Sequence, residues 1–357
     1  MSFEKELYQQ AVDLLQQLIQ TPSFSKGEDQ TATIIKSHLE QWGVTTSRYG
    51  NNIVARNKHF DSAKPTMLLN SHHDTVKPNS HYTLDPFTPI EKDGKLFGLG
   101  SNDAGGCLVS LIAAFKYFYD KEDLTYNIIL AASAEEEISG YNGVESLIKE
   151  LPAIDFAIVG EPTDMQMAVA ERGLMVLDCT SRGKAGHAAR NEGENAIYKA
   201  LKDIEWFQNY QFSKVSSLLG PNKMSVTVIE TENKAHNVVP AICKYVVDVR
   251  VNELYTFEEV LAEIRQNVQS EVQPRSTRLR STSISLDHPV VKAGLAMGKT
   301  YYGSPTTSDK ALMPFPALKI GPGDSARSHT ADEFIYLAEI EQGIKEYIEL
   351  IRLTLNQ

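Results

Sequence analysis

Tyr126-Asn127-Ile128-Ile129-Leu130-Ala131-Ala132 is a short apolar run, and three residues beyond it the chain reads Glu135-Glu136-Glu137. A continuous apolar run of this length, bounded by polar residues, reads as a buried strand. A buried strand should end in a turn residue or a cap, not in a block of like charge. Carboxylates crowded at such an end repel one another unless a cation lies among them. In open α/β sheets the ligand crevice lies outside the carboxyl ends of the strands. The stretch therefore predicts a strand inside an α/β sheet. It predicts a metal site as well, if the chain supplies the other ligands.

Working outward, the same grammar recurs. Thr66-Met67-Leu68-Leu69-Asn70 runs into Ser71-His72-His73-Asp74, and Phe156-Ala157-Ile158-Val159 into Gly160-Glu161-Pro162. Leu7, Ala11, Leu14, Leu15, Leu18 and Ile19 fall at helical spacing, predicting a helix over 5–20 that stops before Thr21-Pro22. A second helix is expected over 29–42, ended by Gly43, a short strand over 51–56, and a helix from Gly105 to about Tyr119. Strands alternating with helices indicate an α/β domain with a central sheet flanked by helices. Then the pattern changes. Residues 173–182 alternate apolar and polar in places, followed by a helix near 195–208, strands at 223–230 and 242–251, a helix at 256–270 and a strand near 278–286. That order is βαββαβ, a ferredoxin-like unit. We expect it to be an inserted domain over 172–286, between the two parts, 1–171 and 287–357, of a metal-binding domain with a mixed sheet. A helix at 288–302, apolar runs near 310–320 and a last helix at about 337–355 complete the reading, and 184–194 is the most flexible-looking segment.

The chain has 357 residues, 42% hydrophobic and 23% charged, with a net charge of −11. That length allows two domains. The acidic balance argues against nucleic-acid or anionic-membrane partners, which need a basic face. No apolar run is long enough to span a bilayer. The start, Met1-Ser2-Phe3-Glu4-Lys5, has no basic n-region followed by an apolar core. Cys107, Cys179 and Cys243 are scattered and odd in number, which fits a reduced, cytoplasmic setting rather than a disulfide framework.

Histidines and carboxylates collect at the predicted strand ends and in two glycine-rich loops. His72, Asp74, the glutamate triplet and Glu161 follow strands; Asp103 lies in Gly98-Leu99-Gly100-Ser101-Asn102-Asp103-Ala104-Gly105-Gly106, and His329 in Gly321-Pro322-Gly323-Asp324-Ser325-Ala326-Arg327-Ser328-His329-Thr330. Singly, a histidine, a charge run or a glycine-rich turn is ordinary. Jointly they would offer a mixed N/O donor set that suits Zn²⁺, Co²⁺ or Mn²⁺ and not a thiolate-only metal. Two cations sharing a carboxylate, roughly 3.5–4 Å apart, would use this many ligands.

These motifs resemble the M20 family of zinc amidohydrolases, which includes acetylornithine deacetylases, succinyl-diaminopimelate desuccinylases, aminoacylases and carboxypeptidase G-type enzymes. The matching residues are His72-His73-Asp74, Asp103 before Gly105-Gly106, Glu136-Glu137 followed by Gly140, Gly160-Glu161-Pro162-Thr163, Gly186-His187, Asn237-Val238-Val239-Pro240, Asp248-Val249-Arg250, and His329-Thr330 with Asp332-Glu333. They run in family order over nearly the whole chain. The resemblance implies two divalent cations, Zn²⁺ with Co²⁺ as an alternative. Asp103 would bridge them, with His72 and Glu161 on one and Glu137 and His329 on the other. Asp74 would fix the tautomer of His72 through its second ring nitrogen, and Glu136 would be the general base. The inserted domain would be a lid and dimerisation domain. Its His187 would stabilise the oxyanion in the site of a second subunit, Asn237 would lie near the substrate, and Arg250 would bind the substrate's α-carboxylate. The family usually reads Asp-Met-Lys-Gly-Gly at the bridge; here Asp103-Ala104-Gly105-Gly106 is one residue shorter and lacks the lysine. The triplet leaves a register choice, and aligning Glu135 with the usual Asp selects Glu136 and Glu137. Glu135 receives no role, and His73 is expected to point to the opposite face from His72. The implied activity is hydrolysis of an N-acyl amino acid, of N-acetyl- or N-succinyl-ornithine or -citrulline type, in arginine biosynthesis. Acyl-lysine deacylase and di- or tripeptidase activity are the alternatives, and the implied oligomer is a homodimer.

Overall fold

The computed structural model describes residues 3–190 and 192–356. The chain divides into two compact units, one of Met1–Val169, Ile284–Tyr302 and Ser308–Gln357, the other of Ala170–Ser283 and Gly303–Thr307.

The first unit is built on a mixed sheet. Its four central strands, in spatial order Asn127–Ser133, Thr66–His72, Phe156–Val159 and Ala317–Lys319, are parallel. Asn52–Arg56 and then Thr46–Tyr49 continue the sheet antiparallel on one side, and Met167–Glu171 on the other. Every residue of the strands Thr66–His72, Asn127–Ser133 and Phe156–Val159 is buried. Strands covered on both faces need unbroken apolar sequence, which is why these runs lack alternation. One cover is the nearly all-apolar helix Gly106–Phe118, which packs with Phe3–Ile19 and Leu337–Leu355. On the opposite face Leu68, Ile129, Ala131, Ala157 and Val159 pack with Val144, Leu147 and Met313. Because the four strands are parallel, their C-terminal ends share one edge. The register places His72 beside Ser133, so His72-Asp74 and the glutamate triplet leave the sheet as neighbours.

The second unit has the order strand Gly173–Arg182, helix Ala196–Asn209, strands Lys223–Thr231 and Ile242–Val251, helix Phe257–Asn267, strand Glu271–Pro274. The four strands form an antiparallel sheet in which Lys223–Thr231 and Glu271–Pro274 are the edges. Cys243, Tyr245, Val247, Val249 and Val251 alternate into a core with Met175, Leu177, Phe207, Val260 and Ile264, the period-2 pattern of a half-covered sheet. The side chain of Asn195 caps one helix, and a reciprocal Thr256–Glu259 capping box starts the other.

Three expectations need correction here. The edge strand of the four-stranded sheet is Glu271–Pro274, the strand expected near 278–286 is only Thr282–Ser283, pairing with Glu171 and Ala170 outside that sheet, and the helix before them stops at Asn267 rather than 270. The cause is the buried carboxylate of Asp203, which accepts the main-chain N–H groups of Gln269 (3.1 Å) and Ser270 (2.8 Å) and the Ser270 hydroxyl (2.6 Å), and so turns the chain early. The predicted helix over 288–302 is the shorter Pro289–Ala296, followed by strand Tyr301–Ser304. Gly303–Thr307 belongs to the second unit, because Gly303 packs so closely on Leu218 and Leu219 that a Cβ there would lie 2.5 Å from the Leu218 carbonyl oxygen. No described helix is long and apolar enough to cross a membrane.

Candidate metal centre

His72 is the last residue of its strand and is 1% exposed. Its Nε2 lies 3.3 Å from Asp103 Oδ1 and 3.9 Å from both Glu136 Oε2 and Glu161 Oε1. Its Nδ1 is 3.0 Å from the Asp74 main-chain carbonyl and 3.4 Å from Asp74 Oδ1. The tautomer with Nδ1–H and a free Nε2 lone pair is therefore held first by the backbone of Asp74, with its carboxylate second. The carboxylate has other work. Asp74 accepts N–H from Glu136 at 3.0 Å and Glu137 at 3.2 Å, and the Ser25 hydroxyl at 2.7 Å. It fixes the turn on which both glutamates stand. Burial opposes its charge, but His72 and Ser25 hold its pKa below the ordinary value.

Asp103 lies between the two imidazoles, with Oδ1 3.3 Å from His72 Nε2 and Oδ2 3.6 Å from His329 Nε2. Its loop, Ser101–Gly105, has a cis Asp103–Ala104 peptide, and Glu333 Oε1 accepts the Asp103 N–H at 2.9 Å. The shortened bridging motif thus still presents its carboxylate between both histidines. His329 Nε2 lies 3.0 and 3.3 Å from the two Glu137 oxygens.

Two overlapping sets of three, His72–Asp103–Glu137 and His72–Glu136–Glu161, have donor atoms within 4.8 Å of one another. Ligands bonded tetrahedrally at about 2.0 Å sit about 3.3 Å apart, so the spacings around Asp103 are those a small divalent cation requires. The electrostatics agree. The Glu137 hydrogen bond lifts the His329 pKa to about 9, and that of His72 is raised because Glu136, Asp103, Asp74 and Glu161 outweigh its burial. Burial, with Glu161, Asp309 and Glu137 around it, pushes Glu136 well above the carboxylate range. A cluster that draws protons onto both imidazoles and onto a carboxylate lacks positive charge. Two divalent cations would supply it, so the donors fit the group.

Glu135 stands apart from its two neighbours. It is 5% exposed, its carboxylate accepts Asn142 Nδ2 at 2.9 Å and Asn142 N at 3.3 Å, and its own N–H donates to Glu28 Oε1 at 3.1 Å. It anchors the loop after the turn. His73, as expected, points away from His72, bonding the Thr31 hydroxyl at 2.9 Å and the Asn51 carbonyl at 3.0 Å. Two buried carboxylates escaped the sequence reading. Asp309 accepts Ser133 Oγ at 2.6 Å and Asn70 Nδ2 at 3.0 Å beneath the strand ends. Glu333 lay inside a recognised motif but carried no role.

His187, Asn237 and Arg250 all lie in the second unit. Short strands Gly186–His187 and Val238–Val239 pair antiparallel, and Ala188 N–H donates to the Asn237 carbonyl at 3.0 Å, which brings His187 and Asn237 together. The Ala189 N–H donates to His187 Nδ1 at 3.1 Å. That bond leaves Nε2 as the proton-bearing nitrogen, ready to donate. Arg250 departs from the expectation of a free fork: its guanidinium is bidentate on Asp248 at 2.8 and 3.1 Å. Residues two apart on a strand share a face, and that spacing produces the pair.

The profile of peptidase family M20/M25/M40 matches residues 68–353, a span that contains every first-unit residue of the centre. The chain belongs to the M20/M25/M40 peptidase family. It is thus a hydrolase of a family whose members typically bind two metal ions, and the cluster around Asp103 supplies candidate ligands. Among M20 relatives, a succinyl-diaminopimelate desuccinylase of Acidiphilium cryptum is 27% identical over 271 residues, covering 72% of each chain. An acetylornithine deacetylase of Proteus mirabilis is 27% identical over 370 residues, covering 92% of this chain and 93% of its own. A tripeptidase from Staphylococcus aureus has the same fold, with a TM-score of 0.77 at 19% identity over 98% of this chain and 99% of that one.

Proposed function

We propose that the protein is a two-metal deacylase that hydrolyses the amide of an N-acyl amino acid. The observation that carries this reading is the placement of Asp103 between His72 and His329, with Glu136 beside them and free of any structural bond to Asp74 except through its N–H. His72, Asp103 and Glu161 would hold one cation, and Asp103, Glu137 and His329 the other. When bound, the cations supply Lewis acidity, lowering the pKa of a water in the site and polarising the scissile carbonyl. Glu136 accepts the proton of the attacking water at its carboxylate and returns it to the departing amine. The second unit acts as the lid of a homodimer, and His187 donates from Nε2 to the developing oxyanion in the partner's site; the Ala189–Nδ1 bond supports that tautomer. Asn237 is carried on the same paired segment. Arg250 reaches a substrate carboxylate only by leaving Asp248.

The substrate assigned is an N-acetyl- or N-succinyl-ornithine or -citrulline, as in arginine biosynthesis. The acetylornithine deacetylase aligned over almost the whole chain supports it. The desuccinylase relative favours a second acyl donor class, N-succinyl-diaminopimelate of the lysine route, and the tripeptidase fold keeps peptides as a third. The three cysteines are free and buried, which suits a reducing, cytoplasmic setting.

A panel decides among them. The Zn²⁺- or Co²⁺-loaded protein is assayed on acetyl and succinyl derivatives of ornithine, citrulline, lysine and diaminopimelate, and on free-amine di- and tripeptides. The expected result is a kcat/KM at least about 100-fold higher on one acylated ornithine or citrulline than on any peptide, a gap of about 2.7 kcal/mol. Preference for peptides refutes the deacylase reading. Preference for the diaminopimelate derivative refutes only the pathway.

A further inference from the structure

Glu333 is 2% exposed, and three main-chain N–H groups converge on its carboxylate: Gly100 on Oε2 at 3.1 Å, and Asn102 and Asp103 on Oε1, both at 2.9 Å. Its own carbonyl accepts the Gly98 N–H at 2.9 Å. One residue therefore grips the loop 98–103 along its whole length. The loop is shaped for this. Gly98 and Gly100 have φ of 152° and 75°, and a Cβ on them would lie 2.4 Å from Ile19 and 2.5 Å from Thr75. Successive amides turned inward form a nest, and here the Glu333 carboxyl group fills it as the acceptor. The segment that carries Glu333 also carries His329, and it is tied on its other side. Asp332 accepts Thr83 N at 2.8 Å, Thr83 Oγ1 at 2.5 Å and Leu84 N at 2.9 Å, and Asn79 Nδ2 donates to the His329 carbonyl at 3.2 Å.

Most first-unit ligands are placed by strand ends. His72 ends its strand, and Glu161 follows the next, where Ser71 Oγ donates to the Gly160 carbonyl at 2.8 Å. Asp103 and His329 stand instead on loops from distant parts of the chain. We propose that Glu333 is the positioning residue of the centre: it sets the Asp103 loop against the His329 loop before any cation arrives, and so fixes the site formed by Asp103, Glu137 and His329. This rests on the reading of these side chains as metal ligands. The other site keeps His72 and Glu161 on the sheet, so it depends on Glu333 less.

Glu333→Gln tests the idea, because it keeps one acceptor and turns a donor towards the Gly100 N–H. Metal-stripped wild type and variant are titrated with Co²⁺ by equilibrium dialysis and visible absorption. Wild type should bind two ions. The variant should bind the first within about threefold of wild type and the second about 10–100-fold more weakly. Two ions bound as in wild type, or both weakened alike, overturn the proposal; the latter is what a merely structural residue would give. A wild type that binds no cation sinks the ligand reading and this proposal with it, whereas the other outcomes leave the ligand reading intact. If the variant does not fold, amide hydrogen exchange of stripped wild type serves instead. Gly100, Asn102 and Asp103 should be protected by at least about 100-fold whether or not Co²⁺ is present. Exchange at free-peptide rates until metal is added refutes preorganisation by Glu333.

Discussion

Replacing Glu136 by Gln separates the base from its neighbours. The change is isosteric, and the main-chain N–H of residue 136 still donates to Asp74 at 3.0 Å, so the turn that carries Glu137 should survive. What is lost is a carboxylate that can take and return a proton. Removing such a group typically costs about 10²–10⁴ in rate, or about 2.7–5.5 kcal/mol of barrier. KM should change little, because the residue acts on the proton rather than on substrate binding. Stability should move the other way. Glu136 is half-buried near Glu161, Asp309 and Glu137, and desolvation together with those charges pushes its pKa well up. A neutral amide there relieves repulsion in the metal-free protein, so the urea midpoint of stripped Glu136→Gln should equal or exceed that of stripped wild type. The assay is steady-state kinetics on the preferred acyl substrate, with metal content measured on the same preparation. Turnover within tenfold of wild type refutes the base assignment. Loss of a metal ion would show instead that Glu136 is a ligand, in keeping with its place in the set with His72 and Glu161.

Glu135→Gln should behave in the opposite sense: it weakens the bonds to Asn142, lowering urea stability by about 1–3 kcal/mol while both metals stay bound, and wild-type stability would refute its anchoring role. Asp74→Asn removes the charge that orients both glutamates and backs His72; metal affinity or kcat should fall about 10–100-fold, and an unchanged value in both would deny that the turn depends on it. Metal binding should release protons. His329 titrates near 9 and His72 well above its usual value in the metal-free protein, yet a ligand imidazole must be neutral. At pH 7.5 loading the His329 site should therefore release about one proton from that imidazole into a weakly buffered solution, and affinity should rise with pH up to about 9; loading without proton release contradicts the assignment of His329 as a ligand.

Much of this was legible in the sequence because it depends on local order. Apolar runs such as Thr66–Asn70 and 126–132 declare buried parallel strands, and the residues just after each run must leave the sheet at the same edge. His72, Glu136, Glu137 and Glu161 inherit their positions from that rule. Asp103 and His329 do not, and only the family motif could pair loops more than two hundred residues apart. What stayed hidden depends on distant partners. Nothing near Gln269 announces that Asp203 will end its helix, and nothing near Asp103 announces Glu333. Arg250 carries the residue type for carboxylate binding, but the same strand supplies Asp248 on the same face, and that pairing could have been read from the period.

The glutamate triplet shows why residue type and position were not enough. Three successive carboxylates on a strand would alternate between faces, and on a helix would fan out at about 100° steps. Neither geometry sends one inward and two towards a common centre. Glu135 does so by adopting the left-handed region, φ 55° and ψ 22°, and Ser139 closes the turn in the same region at φ 48°. A left-handed Glu is unfavourable in isolation, so the surroundings must hold it. They do: Glu28 and Asn142 bond it on one side. On the other, Gly140 leaves the space it fills, since a Cβ there would lie 1.9 Å from Glu135 Oε2. The glycine that aligned the motif is thus required by the acid that had no role. Glu135 absorbs the reversal of the chain so that Glu136 and Glu137 emerge together, their N–H groups on Asp74 and their carboxylates beside His72 and His329. In the proposed register Glu135 is the buried member of the triplet, and Glu136 and Glu137 stay half-buried beside His72 and His329.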